Sequence, residues 1–192
     1  MKNNRLQILF ATLVVLLIAS TRLIPETNNF VPVFAMILFA VVHFQNKYQA
    51  VIISLSVLWL SDLYINNWGQ YADYYNEFIL FSSPFNYIAY LLIALVSVKI
   101  FKNTITIKKV FSSSLLIGVI FFIVSNFGVW LSGGMYPLTL EGLVTCYIAA
   151  IPFFRATLAS NILFTFILFG GYYILQKETS FLKLSHIKYS KR

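Results

Sequence analysis

The sequence predicts an all-α integral membrane protein of six transmembrane helices, with a short extra helix at the outer face before the last span. Three observations carry this. Hydrophobic residues make up 59% of the 192 residues and charged residues only 10%, against roughly 45–50% and about 25% in a soluble domain. So few charges cannot clothe a water-facing surface. The apolar residues fall in runs close to the length a bilayer demands, about 20 residues with roughly 17–25 tolerated. The basic residues gather between alternate runs, as cytoplasmic loops do. A soluble enzyme, a nucleic-acid-binding module and a disordered tail are excluded at this point. The net charge of +8 sits in short clusters, with no basic stripe interleaved with base-stacking aromatics.

The first span is expected over Leu6–Thr21, behind Lys2 and Arg5. A signal peptide would look similar, but Ile18-Ala19-Ser20 is a poor cleavage site, so the segment reads as retained. The second covers Phe30–Phe44, with Asn29 placed to cap it and Pro32 tolerated in its first turn. A tight turn around Gln45-Asn46-Lys47 leads to the third, Tyr48–Ile65. Ser83-Pro84 is a cap-then-proline start for the fourth, which runs to about Phe101. The fifth spans Val110–Leu131 and the sixth Phe153–Leu175.

Between these last two, Leu140–Ile151 is apolar but too short to cross with ease. Gly133-Gly134 and Pro137 before it and Pro152 after it mark it as a separate helix lying at, or dipping into, the outer face; a bent extension of the sixth helix is the alternative. Residues 1–176 then form one transmembrane domain and 177–192 a basic cytoplasmic tail near anionic headgroups. No internal repeat or second domain is evident.

Charge tests the count. With both termini cytoplasmic, the inner segments hold all 14 Lys and Arg residues except Arg22 and Arg155, and the outer side takes all six acids except Glu178. A seventh span over Leu140–Ile151 would carry the basic tail to the wrong side.

Polar side chains inside a span are costly and are candidate functional groups. Asp62 closes the third span, where the helix dipole favours cations, so its carboxylate needs a partner. Arg22 and Arg155 are the two available on that side. An Arg22–Asp62 pair reads either as a structural ion pair between helices or as a ligand clamp. Trp59 lies one turn below Asp62. Asn86 and Tyr90 share a face of the fourth helix, as Asn126 and Trp130 share one of the fifth. Asn161 belongs to a Thr157–Thr165 stripe on the sixth, with Arg155 just outside it. Each pair alone reads as interhelical hydrogen bonding, about 0.6 kcal/mol per contact in a membrane. Four helices doing so at one depth describe an outward-facing pocket for a small polar molecule.

The loop Asn66–Glu77, with Trp68, Tyr71, Tyr74 and Tyr75, reads as an interfacial anchor or as a cap over such a ligand. Cys146 is the single cysteine; with His43 at the inner side and His186 in the tail, no metal cluster assembles. No nucleophile–base pair, phosphate-cradling glycine loop or other catalytic constellation is present in the pattern. The expectation is a non-enzyme without cofactor or metal.

Several segments carry a family resemblance: Arg22-Leu23-Ile24-Pro25, Asn29-Phe30-Val31-Pro32, Ser61-Asp62, Asn126-Phe127-Gly128-Val129-Trp130, Gly142 to Cys146-Tyr147, and Ala150-Ile151-Pro152-Phe153-Phe154. Over Arg22–Gly171 the chain resembles a bacterial domain-of-unknown-function family of small multi-span membrane proteins commonly labelled as transport proteins. More loosely it is similar to the substrate-binding S components of energy-coupling-factor vitamin transporters. Those are six-helix bundles that dock on an energising partner through small residues spaced four apart in the first helix; here Ala11 and Ala19 stand two turns apart.

The resemblance implies a multi-pass protein of the bacterial cytoplasmic membrane that binds a vitamin-like solute, with an energy-coupling membrane partner. The expected function is therefore substrate binding and transport of a small organic solute. The alternative is a non-transporting subunit or assembly factor of a larger membrane complex, and neither reading involves nucleic acid.

Overall fold

The computed structural model describes residues 2–23, 30, 32–44, 46–102, 104–179 and 188–189. Among the described residues six α-helices carry the fold: α1 Lys2–Thr21, α2 Val33–His43, α3 Lys47–Asn67, α4 Pro84–Ile100, α5 Ile107–Leu131 and α6 Leu140–Glu178. A single 3-10 turn, Ala72–Tyr74, lies between α3 and α4. The only strands among the described residues are β1, Thr104–Ile105, and β2, Lys188–Tyr189, paired in parallel with Thr104 opposite Lys188. Successive helices alternate in direction, and the tail segment returns to the α4–α5 connection.

Local chemistry sets most of the ends. Asn46 caps α3, its side chain accepting from the Tyr48 and Gln49 N–H groups at 2.9 and 3.4 Å. Thr106 caps α5 through the Lys109 N–H (3.1 Å), and Thr139 caps α6 through the Gly142 N–H (3.1 Å). Pro84 opens α4 where its missing N–H costs nothing, although Ser83 makes no side-chain cap. The cap expected at Asn29 lies outside the described residues, as do Gln45 and His186.

Helices α3, α5 and α6 are long and apolar enough to cross a membrane; α4, α2 and the Ile8–Thr21 part of α1 are shorter apolar helices. The outward faces of the bundle are themselves apolar. Leu13, Leu17, Ile52, Leu95, Ile167 and Ile174 are all more than half exposed, which is the arrangement of a protein solvated by hydrocarbon. The chain is a helical membrane protein.

Two expectations need correction. The second span was expected over Phe30–Phe44, but α2 has only 11 residues, or ~16 Å against a hydrocarbon core of ~30 Å. Every one of its residues from Val33 to His43 is buried, as a helix apolar all round must be. It packs against each of the other five helices and forms the centre of the core. Its C-terminal carbonyls are closed by Lys47, whose ammonium donates to the Val41 and Phe44 carbonyls at 2.6 and 2.9 Å. His43 stacks on Phe39 and lies against Tyr172, sealing that end with aromatic rings.

The separate outer-face helix over Leu140–Ile151 is not formed. That segment is the first third of α6, a continuous 39-residue helix with Pro152 inside it. An interior proline costs about 3 kcal/mol in a soluble helix, but tertiary contact holds this one together. The Tyr147 hydroxyl donates to the Ile123 carbonyl (2.6 Å) and the Cys146 thiol to that of Asn126 (3.5 Å). Phe122 packs against Tyr147 before the proline and against Phe154 after it. The segment thus runs antiparallel along the upper turns of α5 and needs no break.

Two glycines let backbones meet. A Cβ on Gly142 would lie 2.0 Å from the Pro137 carbonyl oxygen, and one on Gly128 would lie 2.4 Å from Cβ of Phe85 on α4. Gly142→Val and Gly128→Val should each destabilise the protein by roughly 1–3 kcal/mol. Unfolding of the detergent-solubilised protein would measure this. Gly134, with nothing within 4 Å of its position, should accept alanine with little change.

Candidate functional site

Above the first turn of α2 the bundle encloses a cavity of about 640 Å³. Val33 and Phe34 form its floor. Pro32 stands at the N-cap and makes no side-chain cap. Two unlike walls rise from the floor. The wall from α3, the following loop and α4 is polar, with Asp62, Asn66, Gln70, Ser82 and Asn86. The wall from α5 and α6 is mainly aromatic and aliphatic, with Phe121, Phe122, Val129, Ala150, Phe153 and Phe154, and it is interrupted by Ser125, Asn126 and Thr157. Tyr90 stacks on Phe121 with the rings 10° from parallel, and Phe34 lies 4.6 Å from Phe121. These rings close the base of the cavity onto the core.

At the rim one ion pair ties three helices together. Arg22, just past α1, meets the Asp62 carboxylate of α3 at 2.6 Å, both side chains being nearly buried at 12% and 9% exposure. Arg22 also donates to the Ser61 hydroxyl and, at 3.4 Å, to the Leu58 carbonyl. The second oxygen of Asp62 accepts from the Tyr87 hydroxyl of α4 at 2.8 Å and from Ser82 at 3.5 Å. Every formal charge in the network is thereby answered, as burial requires.

The α3–α4 loop is held over the cavity by side chains of α3. Asn67 donates to the Ile79 carbonyl and accepts from the Ile79 N–H, both at 2.8 Å. The Trp59 indole donates to the Leu80 carbonyl at 3.1 Å. Between these fixed points Gln70, Tyr71 and Tyr75 reach the cavity.

Of the residues expected at the pocket, Asp62, Asn86, Tyr90 and Asn126 are brought together on its lining, and Arg22, expected as the ion-pair partner of Asp62, lines it too. Asn126 donates from its amide nitrogen to the Phe122 carbonyl of its own helix at 2.8 Å, which leaves its oxygen for the cavity. The remaining four stand elsewhere. Trp59 braces the loop, and the Trp130 indole donates to the Pro137 carbonyl at 3.0 Å in the α5–α6 connection. Arg155 is exposed, and Asn161 is fully buried, its amide nitrogen donating to the Ser114 carbonyl of α5.

Sequence reasoning passed over Tyr87, although it stands one turn before Tyr90 on α4, and gave Ser61 no role beyond the Ser61-Asp62 segment of the family resemblance. It also gave the loop residues Gln70 and Tyr75 no individual place. Among the described residues no group of three or more His, Cys, Asp and Glu is arranged to hold a metal ion.

Fold and cavity together define a helical membrane protein with a solute-sized chamber at one end. The chain matches the model of a family of unknown function, DUF6580, over residues 2–184, and belongs to that family. No curated protein and no solved structure matches it.

Breaking a buried pair from one side leaves a stranded charge, so Asp62→Asn should destabilise by about 3–5 kcal/mol. The double replacement Arg22→Leu with Asp62→Leu should recover most of that loss. Tyr87→Phe, which removes one hydrogen bond to a charged group, should cost about 1.5–3 kcal/mol. A double-mutant cycle on unfolding free energies would check all three.

Proposed function

We propose that the protein is the membrane-embedded, substrate-binding part of a transport system for a small organic solute. The observation that carries this is the cavity. Its volume of about 640 Å³ falls within the roughly 300–1,000 Å³ of small-molecule sites. Polar groups converge on it from four helices, while its base is closed by packed rings. A chamber open toward one end and shut toward the other is the resting half of an alternating-access cycle. Rocking of helices about the short central α2 would supply the other half.

The lysines support a direction. Lys47, Lys99, Lys102, Lys108, Lys109 and Lys177 belong to the end of the bundle away from the cavity, and the tendency of cations to stay on the cytoplasmic side favours an orientation with that end and both termini inside. The setting is a bacterial cytoplasmic membrane. An energising partner of the S-component kind would not dock through small residues on α1, because Ala11 and Ala19 are buried in the core. Any such partner would use another face.

Protein purified in nanodiscs should carry a small molecule detectable by mass spectrometry after denaturation. Asn86→Ala and Asn126→Ala should lower its occupancy several-fold, whereas Arg155→Ala, exposed and off the cavity, should not. Full occupancy in both cavity variants would reject the site. Accessibility labelling should place Lys102–Lys109 and Asp73–Glu77 on opposite faces of the membrane; labelling of both from one face would reject the orientation.

A further inference from the structure

The balance of charge and the two-faced lining narrow the occupant of the cavity, an inference that rests on the solute-binding reading above. Among the described lining residues, Arg22 and Asp62 are the ones charged at neutral pH, and they are paired at 2.6 Å. Both oxygens of the carboxylate and both terminal nitrogens of the guanidinium are already engaged by protein partners. A phosphate, a carboxylate or an ammonium entering the chamber would lose its hydration and meet no counter-charge, which is costly in a low-dielectric interior.

What the chamber offers instead is carboxamide. Asn66 and Asn86 reach it from α3 and α4, and Asn126 adds its amide oxygen from α5. An amide presents a donor and an acceptor side by side, which is the complement of another amide, a lactam or an aminopyrimidine edge. The opposite wall asks for something different. Phe122 and Phe154 lie with centroids 4.4 Å apart, and with Phe121 and Phe153 they make a broad apolar surface. A ring face can stack there without stranding a hydrogen-bonding group. A polyol, with hydroxyls around its whole perimeter, would leave several unpaired against this wall.

We propose that the occupant is an uncharged, planar heteroaromatic molecule, its ring face against the α5–α6 phenylalanines and its amide-like edge against the carboxamides of α3 and α4. The experiment releases the bound molecule from nanodisc-purified protein by denaturation and records its mass, ultraviolet absorbance and electrophoretic charge at neutral pH. In parallel, thermal shifts are measured with nicotinamide, nicotinate and glucose as probes; the first two share a ring and differ in one charge. An absorbing, uncharged molecule is expected, with nicotinamide at least tenfold more potent than nicotinate or glucose.

A charged or non-absorbing molecule, or equal potency of the amide and carboxylate probes, would overturn this class while leaving solute binding intact. No released molecule and no shift with any probe would overturn both. Asn66→Leu and Asn86→Leu, which keep volume and remove the amide, should each cut occupancy at least tenfold. Less than a twofold effect from whichever variant folds would overturn the carboxamide role.

Discussion

A helix with no polar face and no exposed residue can persist only where other helices cover it on every side. In this protein that helix is α2, and its enclosure organises the bundle. Its 11 residues reach only part of the way through, so the helices that surround it must also pack on one another beyond its ends. At the lower end they do so through rings and through Lys47, which answers the carbonyl groups α2 leaves open. At the upper end the space is not filled. Walls remain where a longer helix would have stood, and the first turn of α2 becomes a floor. The cavity is thus a consequence of a short central element inside longer neighbours.

The Arg22–Asp62 pair has its meaning in that setting. Ion pairs withdrawn from water gain little net stability, because desolvation offsets most of the attraction. They do penalise any arrangement that separates them. Arg22 follows α1, Asp62 sits on α3 and Tyr87 on α4, so the network fixes the relative positions of three helices at the rim. The polar wall of the chamber is held in register by it. The aromatic wall is organised independently, by the antiparallel contact of α5 with α6.

Legibility in the sequence followed the range of the forces involved. Helix α4 was readable almost to the residue, since the Pro84 start acts locally. The all-helical membrane class was evident from composition alone. The extent of α2 was not, because an apolar run from Phe30 to Phe44 looks the same whether lipid or protein surrounds it. Pro152 was a misleading signal: a strong local breaker, overruled by contacts from Tyr147, Cys146 and Phe154 to α5 that no spacing rule reveals.

The same holds for the site. Asn86 with Tyr90, and Asn126, came out on the lining because helical spacing and depth are periodic properties. Trp59, Trp130 and Arg155 lie near that depth but point elsewhere, since rotation about the helix axis is set by packing; Asn161 bonds to Ser114, well before Asn126 on α5, and so lies deeper in the bundle than expected. The Arg22–Asp62 pair was anticipated and is formed, because both residues stand at the same end of neighbouring spans.

The pairing of β1 with β2 bears on how the chain is made. Parallel strands cannot be joined by a tight turn; they require an intervening crossover, and here that crossover is the whole α5–α6 hairpin. Residues 188–189 can join 104–105 only once both helices have packed side by side. The small ladder therefore depends on the tertiary arrangement of two long helices, and it ties the segment beyond α6 back to the α4–α5 connection.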